Sequence, residues 1–385
     1  MTVISLNNLN KPSKMPLSTD QHRIWFLHEL NKNLNNFNIN FAFSIEGPLD
    51  VDAFSLALGD LAQRHEALRT SFVAEDGVPY LQVTDNHTVN LTKVDASHKS
   101  AEEVDEWIRS EFNEAGKKPF LLSDGPMYRV ALYQVSEDSF RVLFTIHHII
   151  ADFDSLKLIL RELFQLYRLR IGSQLDPLPE LACQFSDYAF WQNERLRTGE
   201  LDKQLEFWRD QNLGDVPPLR MPMDRPRGKT VTNNGATKRI TFSRSLTERL
   251  HRLSQENNVT LFVTLLSAYQ VLLHKYTGQP EVNIGTPMTT RSQPELQGLV
   301  GLFINTLVLK LGLQGVATFT ELLHQNRKQT YAAFSRQEIP FEKLVAELKP
   351  DRNINHNLFF QTMVMFLEPE SNSTQIGPET YFQPF

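Results

Sequence analysis

The sequence predicts an α/β protein built as two lobes, and three observations lead there. At 385 residues the chain is long for one hydrophobic core, because cores stop growing at roughly 250–300 residues. The mostly apolar run Arg141 to Ile146 reads as a strand covered on both faces, followed by a tight polar turn and a long amphipathic helix. After Gly172 the composition shifts: Ser173 to Pro179 is polar and holds two prolines, and a second α/β pattern follows. The lobes are therefore set at residues 16–178 and 179–385, behind a polar leader or linker at 1–15.

The first lobe can be taken in order. Pro16 to Gln21 starts a helix with Ser18 or Asp20 as its cap and Ile24, Trp25, Leu27 and Leu30 as its apolar side. Ile39, Phe41, Phe43 and Ile45 alternate as one face of a strand. Val51 to Leu68 reads as a helix, short strands follow near Phe72 and over Tyr80 to Val83, and Ala101 to Ala115 is helical again. Met127 to Val135 and Phe140 to Ile146 pair as a hairpin across the polar turn Ser136 to Ser139. In the helix that follows, Leu156, Ile159, Leu160, Leu163, Leu166 and Tyr167 recur at helical spacing, Asp152 or Asp154 caps its start, and Gly172 stops it.

In the second lobe Phe185 to Gln211 reads as one helix bearing Trp191 and Trp208, and Val216 to Gly228 is a Pro-, Arg- and Gly-rich loop. Strands are expected at Lys238 to Phe242, Glu281 to Pro287, Asn305 to Leu311 and Leu358 to Phe366. Helices are expected at Ser245 to Asn257, Leu261 to Tyr276, Phe319 to Phe334 and Phe341 to Leu348.

Composition narrows the function. A formal net charge of −6 and no basic block give no electrostatic case for nucleic acid. Cys183 is the only cysteine, so no disulfide can form within the chain and a reducing, cytoplasmic setting is expected. Met1 to Lys14 is polar and lacks the apolar core of a signal peptide, and no apolar run approaches the ~20 residues of a membrane span.

His147, His148 and Asp152 are the residues that could carry chemistry, and by themselves they admit three readings. As a metal site they offer two imidazoles and a carboxylate, but adjacent strand residues face opposite ways and no other ligand cluster stands near. As structure, one histidine is a satisfied core residue and Asp152 a helix cap. As a catalytic site, one imidazole faces a cavity while Asp152 holds the loop through a buried pair with an arginine. General-base help of that kind is worth about 10²–10⁴-fold. No G-x-S-x-G elbow is present, and Ser155 alone does not make a triad.

Seven segments in the right order resemble the motifs of the condensation domains of nonribosomal peptide synthetases. They are Pro16 to Leu27, Arg64 to Phe72, His147-His148-Ile149-Ile150-Ala151-Asp152, Phe185 to Gln192, Ile284 to Arg291, Val300 to Leu307, and Arg336 to Val345. The resemblance implies two lobes like chloramphenicol acetyltransferase, arranged as a V-shaped pseudo-dimer around a tunnel. It implies an acyltransferase-type reaction in which an acceptor amine attacks a donor thioester. Both substrates would be carried on phosphopantetheine arms by donor and acceptor carrier proteins, beside adjoining synthetase domains. The domain itself would bind no cofactor and no metal. By the motif, His148 faces the tunnel as base or amine-positioning residue beside His147. Asp152 is structural and pairs with an arginine, Arg291 first and Arg64 or Arg69 as rivals, with Ser155 in the same turn. Asn305 and Trp191 would shape the tunnel, although Trp191 as plain helix packing fits equally; Gln337 lies in the seventh motif without a role that can be derived.

Two departures stand out. Phe153 occupies the position after the motif aspartate where the family has glycine, the residue of positive φ or of close approach. Its ring either packs away from His148, leaving an active domain, or blocks the donor passage and leaves a carrier-docking platform. Residues 367–385 read as a cut or divergent end, with a second lobe short of its last strands and a sheet edge left open. Starter-type (fatty acyl donor) and ester-forming relatives are the enzymatic alternatives.

Overall fold

The structure is a computed structural model and describes residues 12–33, 35–85, 89, 91–225, 235–348, 358–367, 374–375 and 380–384. Its contacts divide the chain into two units. The first takes the described residues of Met1–Thr198, Arg291–Phe303 and Pro369–Phe385, and the second those of Gly199–Thr290 and Ile304–Glu368.

The first unit opens with β1 (Met15–Pro16), α1 (Thr19–Leu30), β2 (Asn38–Glu46) and α2 (Val51–Arg64). After a 3₁₀ turn at Glu66–Arg69 come β3 (Thr70–Glu75), β4 (Val78–Val83), β5 (Leu91–Asp95), α3 (Ala101–Lys117), β6 (Tyr128–Ser136), β7 (Ser139–His147), α4 (Phe153–Arg170) and α5 (Phe185–Arg197). Ser18 caps α1 through a reciprocal box: its hydroxyl accepts the Gln21 N–H at 3.2 Å and its own N–H donates to Gln21 Oε1 at 3.1 Å. Ile24 and Trp25 are buried as expected, but Leu27 and Leu30 are exposed, at 37% and 69%, so the apolar side of α1 is narrower than the periodicity implies.

The main sheet places β2, β7, β6 and β5 side by side, parallel only between β5 and β6. Alternation decides what each face meets. Phe41, Phe43, Phe144 and Tyr128 share one face, with Phe41 stacked on Phe144 at 4.9 Å and Phe43 edge-on to Phe164 of α4 at 5.8 Å. On the other face Tyr133 and Leu143 form a cluster with Ala96 and with Val104 and Ile108 of α3. With helices on both sides, the last six residues of β7 are all buried, which is why its sequence shows so little alternation.

The second unit contains α6 (Asp202–Asp210), α7 (Arg244–Glu256), α8 (Leu261–Thr277), β8 (Glu281–Thr289), β9 (Ile304–Gly312), α9 (Phe319–Phe334) and α10 (Phe341–Leu348). β8 and β9 pair antiparallel along their whole length, from Glu281↔Gly312 to Thr289↔Ile304. Three expectations change here. Phe185 to Gln211 is two helices, because Gly199 adopts φ 74° and breaks the run. Lys238 to Phe242 is exposed and, among the described residues, pairs with no strand. Of Leu358 to Phe366 only Met363 bridges, in parallel, to Gly285; there a side chain on Gly285 would collide with the Phe360 ring, 2.6 Å from the position of its Cβ.

The boundary expected at 178/179 also moves. α5 belongs with the first unit because Gln192 Oε1 accepts from the Thr19 N–H at 3.0 Å, and Asn193 donates to the Leu17 carbonyl at 2.9 Å. Two later stretches return to it. Residues 291–303 come back between β8 and β9, and β10 (Thr374–Gln375) and β11 (Tyr381–Pro384) extend the main sheet through β11 on β2. Phe382 lies 5.1 Å from Phe43 and 5.0 Å from Phe164. The leader at 1–15 falls mostly outside the described residues, as does much of 367–385.

Candidate active site

The two histidines sit where β7 ends, and the backbone fixes them in opposite roles. The His147 N–H donates to the Met127 carbonyl at 2.9 Å and the His148 N–H to the Phe37 carbonyl at 2.7 Å, so the strand is held from both sides up to its last residue. His147 is 1% exposed, between the rings of Phe37 and Phe120. Its Nδ1 accepts the Ile149 N–H at 3.2 Å, which places the proton of the neutral ring on Nε2. Burial, helped by His28, His148 and Arg129, lowers its pKa to about 3. His147 is thus a neutral core residue.

His148 is half-buried and does the reverse. Its Nδ1 lies 2.7 Å from the Ala151 carbonyl, and since a carbonyl only accepts, Nδ1 carries the proton. In the neutral ring that tautomer leaves the lone pair on Nε2. A ring oriented through one nitrogen with the other basic is the arrangement a general base or an amine-positioning group requires.

Asp152 anchors the turn between His148 and α4. It is 3% exposed and caps the helix: Oδ1 accepts the Ser155 N–H at 2.8 Å and its hydroxyl at 2.6 Å. The same oxygen receives Arg291 Nη2 at 3.1 Å, and Oδ2 receives the Phe303 N–H at 3.0 Å. Arg291 also donates to Ser155 Oγ at 2.8 Å and to the carbonyls of Leu296 and Leu299 at 2.7 and 2.6 Å, with its guanidinium 4.1 Å from the Phe303 ring centre. Ser155 Oγ accepts the Gly301 N–H at 3.0 Å and lies 2.8 Å from the Gly301 carbonyl. This is a buried charge pair with most of its hydrogen bonds provided, the condition under which such pairs are tolerated. Glycine is required at 301: a Cβ there would sit 1.9 Å from the Phe185 ring.

The other expected residues lie elsewhere. Arg64 donates to Glu162 at 2.9 Å, and Glu162 also meets His65 Nε2 at 2.7 Å. Burial pushes the Glu162 carboxyl up, but the bonds and charge of His65 and Arg64 outweigh it and hold the group below its usual range. Arg69 donates to the carbonyls of Ala62, Gln63 and Thr84. Neither arginine reaches Asp152. Trp191 is 7% exposed on α5 with Arg195 4.5 Å over its ring, which is helix packing. Asn305 is a brace in the second unit: it donates at 2.7 Å to the carbonyls of Gln337 and Ile339 and accepts the Phe341 N–H at 3.0 Å. Both polar ends of its amide are engaged with backbone. Gln337 contributes one of those carbonyls, while its buried side-chain oxygen has no hydrogen-bond partner among the described residues.

Phe153 is the first residue of α4, with helical backbone and no positive φ. It is 41% exposed, with the Lys157 ammonium 4.8 Å over its ring. Gln21 is a supporting side chain to which the motifs alone assign no role. Besides closing the α1 cap, it donates to the Ile149 carbonyl at 3.0 Å and so steadies the turn after His148. Among the described residues no group of three or more His, Cys, Asp or Glu is placed to hold a metal ion, and no helix is long and apolar enough to cross a membrane.

Known proteins share both the sequence and the fold. A family model described as "Condensation domain" matches residues 11–381. A linear gramicidin synthase of Brevibacillus parabrevis is 38% identical over 360 residues, which cover 94% of this chain. The chain spans only about 7% of the length of that relative. Among solved structures, the complex of the X-domain and OxyB from teicoplanin biosynthesis aligns with a TM-score of 0.86 at 25% identity, over 100% of this chain and 83% of that one. SgcC5 of Streptomyces globisporus aligns with a TM-score of 0.79 at 26% identity, over 96% of this chain and 85% of that one.

Proposed function

Because this chain belongs to the condensation domain family, we propose that it joins a donor acyl thioester to the amine of an acceptor aminoacyl thioester, both delivered on phosphopantetheine arms by carrier proteins. The amine nitrogen attacks the thioester carbonyl, a C–N bond forms, the C–S bond breaks, and the amine proton leaves for the thiol that is released. The observation that carries the reading is the His148 ring: with Nδ1–H given to the Ala151 carbonyl, Nε2 is the acceptor for an amine N–H.

His148 would act in either of two ways. An α-amine with an ordinary pKa of about 8 is already partly free base at neutral pH, so orienting it is a sufficient contribution. Removing its proton as attack proceeds would add about 10²–10⁴-fold. Asp152, Arg291 and Ser155 hold the turn rather than touch substrate. The chain needs no cofactor of its own in this scheme, and a cytoplasmic setting among adjoining synthetase domains fits it.

The outward ring of Phe153 supports an open active domain over a blocked docking platform. The test loads defined donors and acceptors onto carrier proteins and follows the products by intact-protein mass spectrometry. Amide product that falls at least about a hundredfold in His148→Ala, the lower bound of general-base help, supports the reading. Unchanged product removes His148 from any essential role. Ester product or a strict demand for fatty acyl donors would select the ester-forming or starter-type alternative. No product from any pair would select the platform.

A further inference from the structure

The turn that carries His148 is held from two sides, and both holders rest on α5. On one side Gln21 of α1 donates to the Ile149 carbonyl at 3.0 Å. The other end of the same amide accepts the Ser18 N–H at 3.1 Å, so the side chain has no slack. On the other side the Asp152 N–H donates to the Gly301 carbonyl at 3.2 Å. That N–H shares a planar peptide unit with the Ala151 carbonyl, the group that accepts the Nδ1–H of His148. The ring is therefore aimed by a carbonyl whose plane depends on where α1 and residues 301–303 stand.

α5 sets both positions. Thr19 is the first residue of α1, where a helix leaves backbone N–H groups without a partner of its own. Gln192 Oε1 accepts that N–H at 3.0 Å and the Thr19 hydroxyl at 3.2 Å, and Asn193 donates to the Leu17 carbonyl at 2.9 Å. Thr19 lies two residues before Gln21, so a shift of the first changes the reach of the second. Toward the start of α5, Phe185 and Tyr188 pack on the Phe303 ring with centroids 4.9 and 4.6 Å away, and Phe185 also closes on Gly301. The two sides are joined inside the helix: Gln192 Nε2 donates to the Tyr188 hydroxyl at 3.2 Å, one turn away. Gln192 and Tyr188 are both buried, so water is not at hand to replace a bond that either loses.

We propose, on the reading of His148 as base or amine-positioning residue, that Gln192 and Tyr188 are positioning residues for it. Gln192 registers α1 against the turn, and the Tyr188 ring seats residues 301–303. The bond between the two side chains holds the two sides at one spacing. Both act through the backbone of the turn: they keep the Ala151 carbonyl on Nδ1, which keeps the lone pair on Nε2. Placement at that level matters, because a misplacement of about 1 Å caused by a distant change can cost about a hundredfold in rate.

The test compares Gln192→Met, which keeps the length of the side chain and removes its bonds, with Gln192→Glu, which keeps an acceptor for Thr19. Phe164→Leu is the control that loosens the core beside β2. Two readouts are taken on the full chain: nitrogen NMR of histidine-labelled protein, with the His148 signals assigned through His148→Gln, and turnover of carrier-bound thioesters. In the wild type the neutral His148 ring carries its proton on Nδ1. In Gln192→Met the proton is shared between the two nitrogens, and kcat falls at least about tenfold while KM stays within about twofold. Gln192→Glu keeps the wild-type tautomer and a kcat within about threefold of wild type. Tyr188→Phe, which retains the ring on Phe303 and removes only the hydroxyl, moves both readouts in the direction of Gln192→Met. Phe164→Leu lowers the unfolding temperature and moves neither. A wild-type tautomer in Gln192→Met overturns the proposal. So do equal losses in Gln192→Met and Gln192→Glu, or the same shift in Phe164→Leu, which would mark general loosening. The spectra need no turnover: if no donor and acceptor pair gives product, the proposed reaction fails while the positioning of His148 is still decided.

Discussion

Asp152→Ala tests the scaffold beneath the histidine turn. The substitution removes the acceptor of Arg291 Nη2, the Ser155 N–H and hydroxyl, and the Phe303 N–H at once. Arg291, 6% exposed, is left as a buried cation without its carboxylate. Breaking such a pair costs about 3–5 kcal/mol, and an orphaned buried N–H costs about 1–3 kcal/mol. The groups share one network, so these figures do not add, and a loss of about 3–5 kcal/mol is expected. For a unit of this size each kcal/mol moves the midpoint by about 2–4 °C, giving a fall of roughly 6–20 °C. Scanning calorimetry and urea unfolding read it directly. The double variant Asp152→Ala/Arg291→Met removes the stranded charge and roughly keeps volume, so it should recover part of the loss. Two results refute the reasoning. A loss below about 1 kcal/mol would mean that the pair does not hold the turn. Full stability with lost amide formation would mean that Asp152 acts on the substrate.

Other predictions concern the same region. His147 stays neutral when folded but binds a proton near pH 6.5 when unfolded, so the unfolded state binds more protons between pH 6.5 and about 3. Stability is therefore full above about pH 6.5 and falls as pH is lowered, by about 2 kcal/mol from this group between about pH 7 and 5. His147→Gln should flatten the pH dependence of urea unfolding by that amount, and an unchanged slope would show a protonated His147. Phe153→Gly should change turnover less than about threefold, well under the tenfold of 1.4 kcal/mol, because the ring is outward on a helix start; a gain above about tenfold would show that it obstructs the donor. Gly301→Ala should cost at least the roughly 1–3 kcal/mol typical of overpacking, recovered in part by Phe185→Leu, and a neutral Gly301→Ala would contradict the contact.

Local patterns make much of this site readable. Alternation along β2 and β7, the cap at Ser18 and the Asp152 cap all act within a few residues, where composition determines the outcome. The motif order points to Arg291, 139 residues from Asp152, which no periodicity could find. What stays hidden depends on distant packing. Nothing near Gly199 marks it more strongly than other helix glycines, yet its φ splits α5 from α6. Lys238 to Phe242 has strand propensity but pairs with no strand among the described residues. Asn305 looks like a site residue because amides suit both cavities and backbone braces, and only the placement of Gln337 to Phe341 decides between them.

The return of residues 291–303 to the first unit has a consequence for synthesis. The chain emerges in order, and 139 residues separate Asp152 from Arg291. At about 5–20 residues per second the carboxylate waits roughly 7–28 s for its cation, while β2, β6 and β7 are already complete. A nascent first unit thus holds a sheet beside a loose turn, and a ribosome paused before residue 303 would carry a chain with its histidines made and their support still missing.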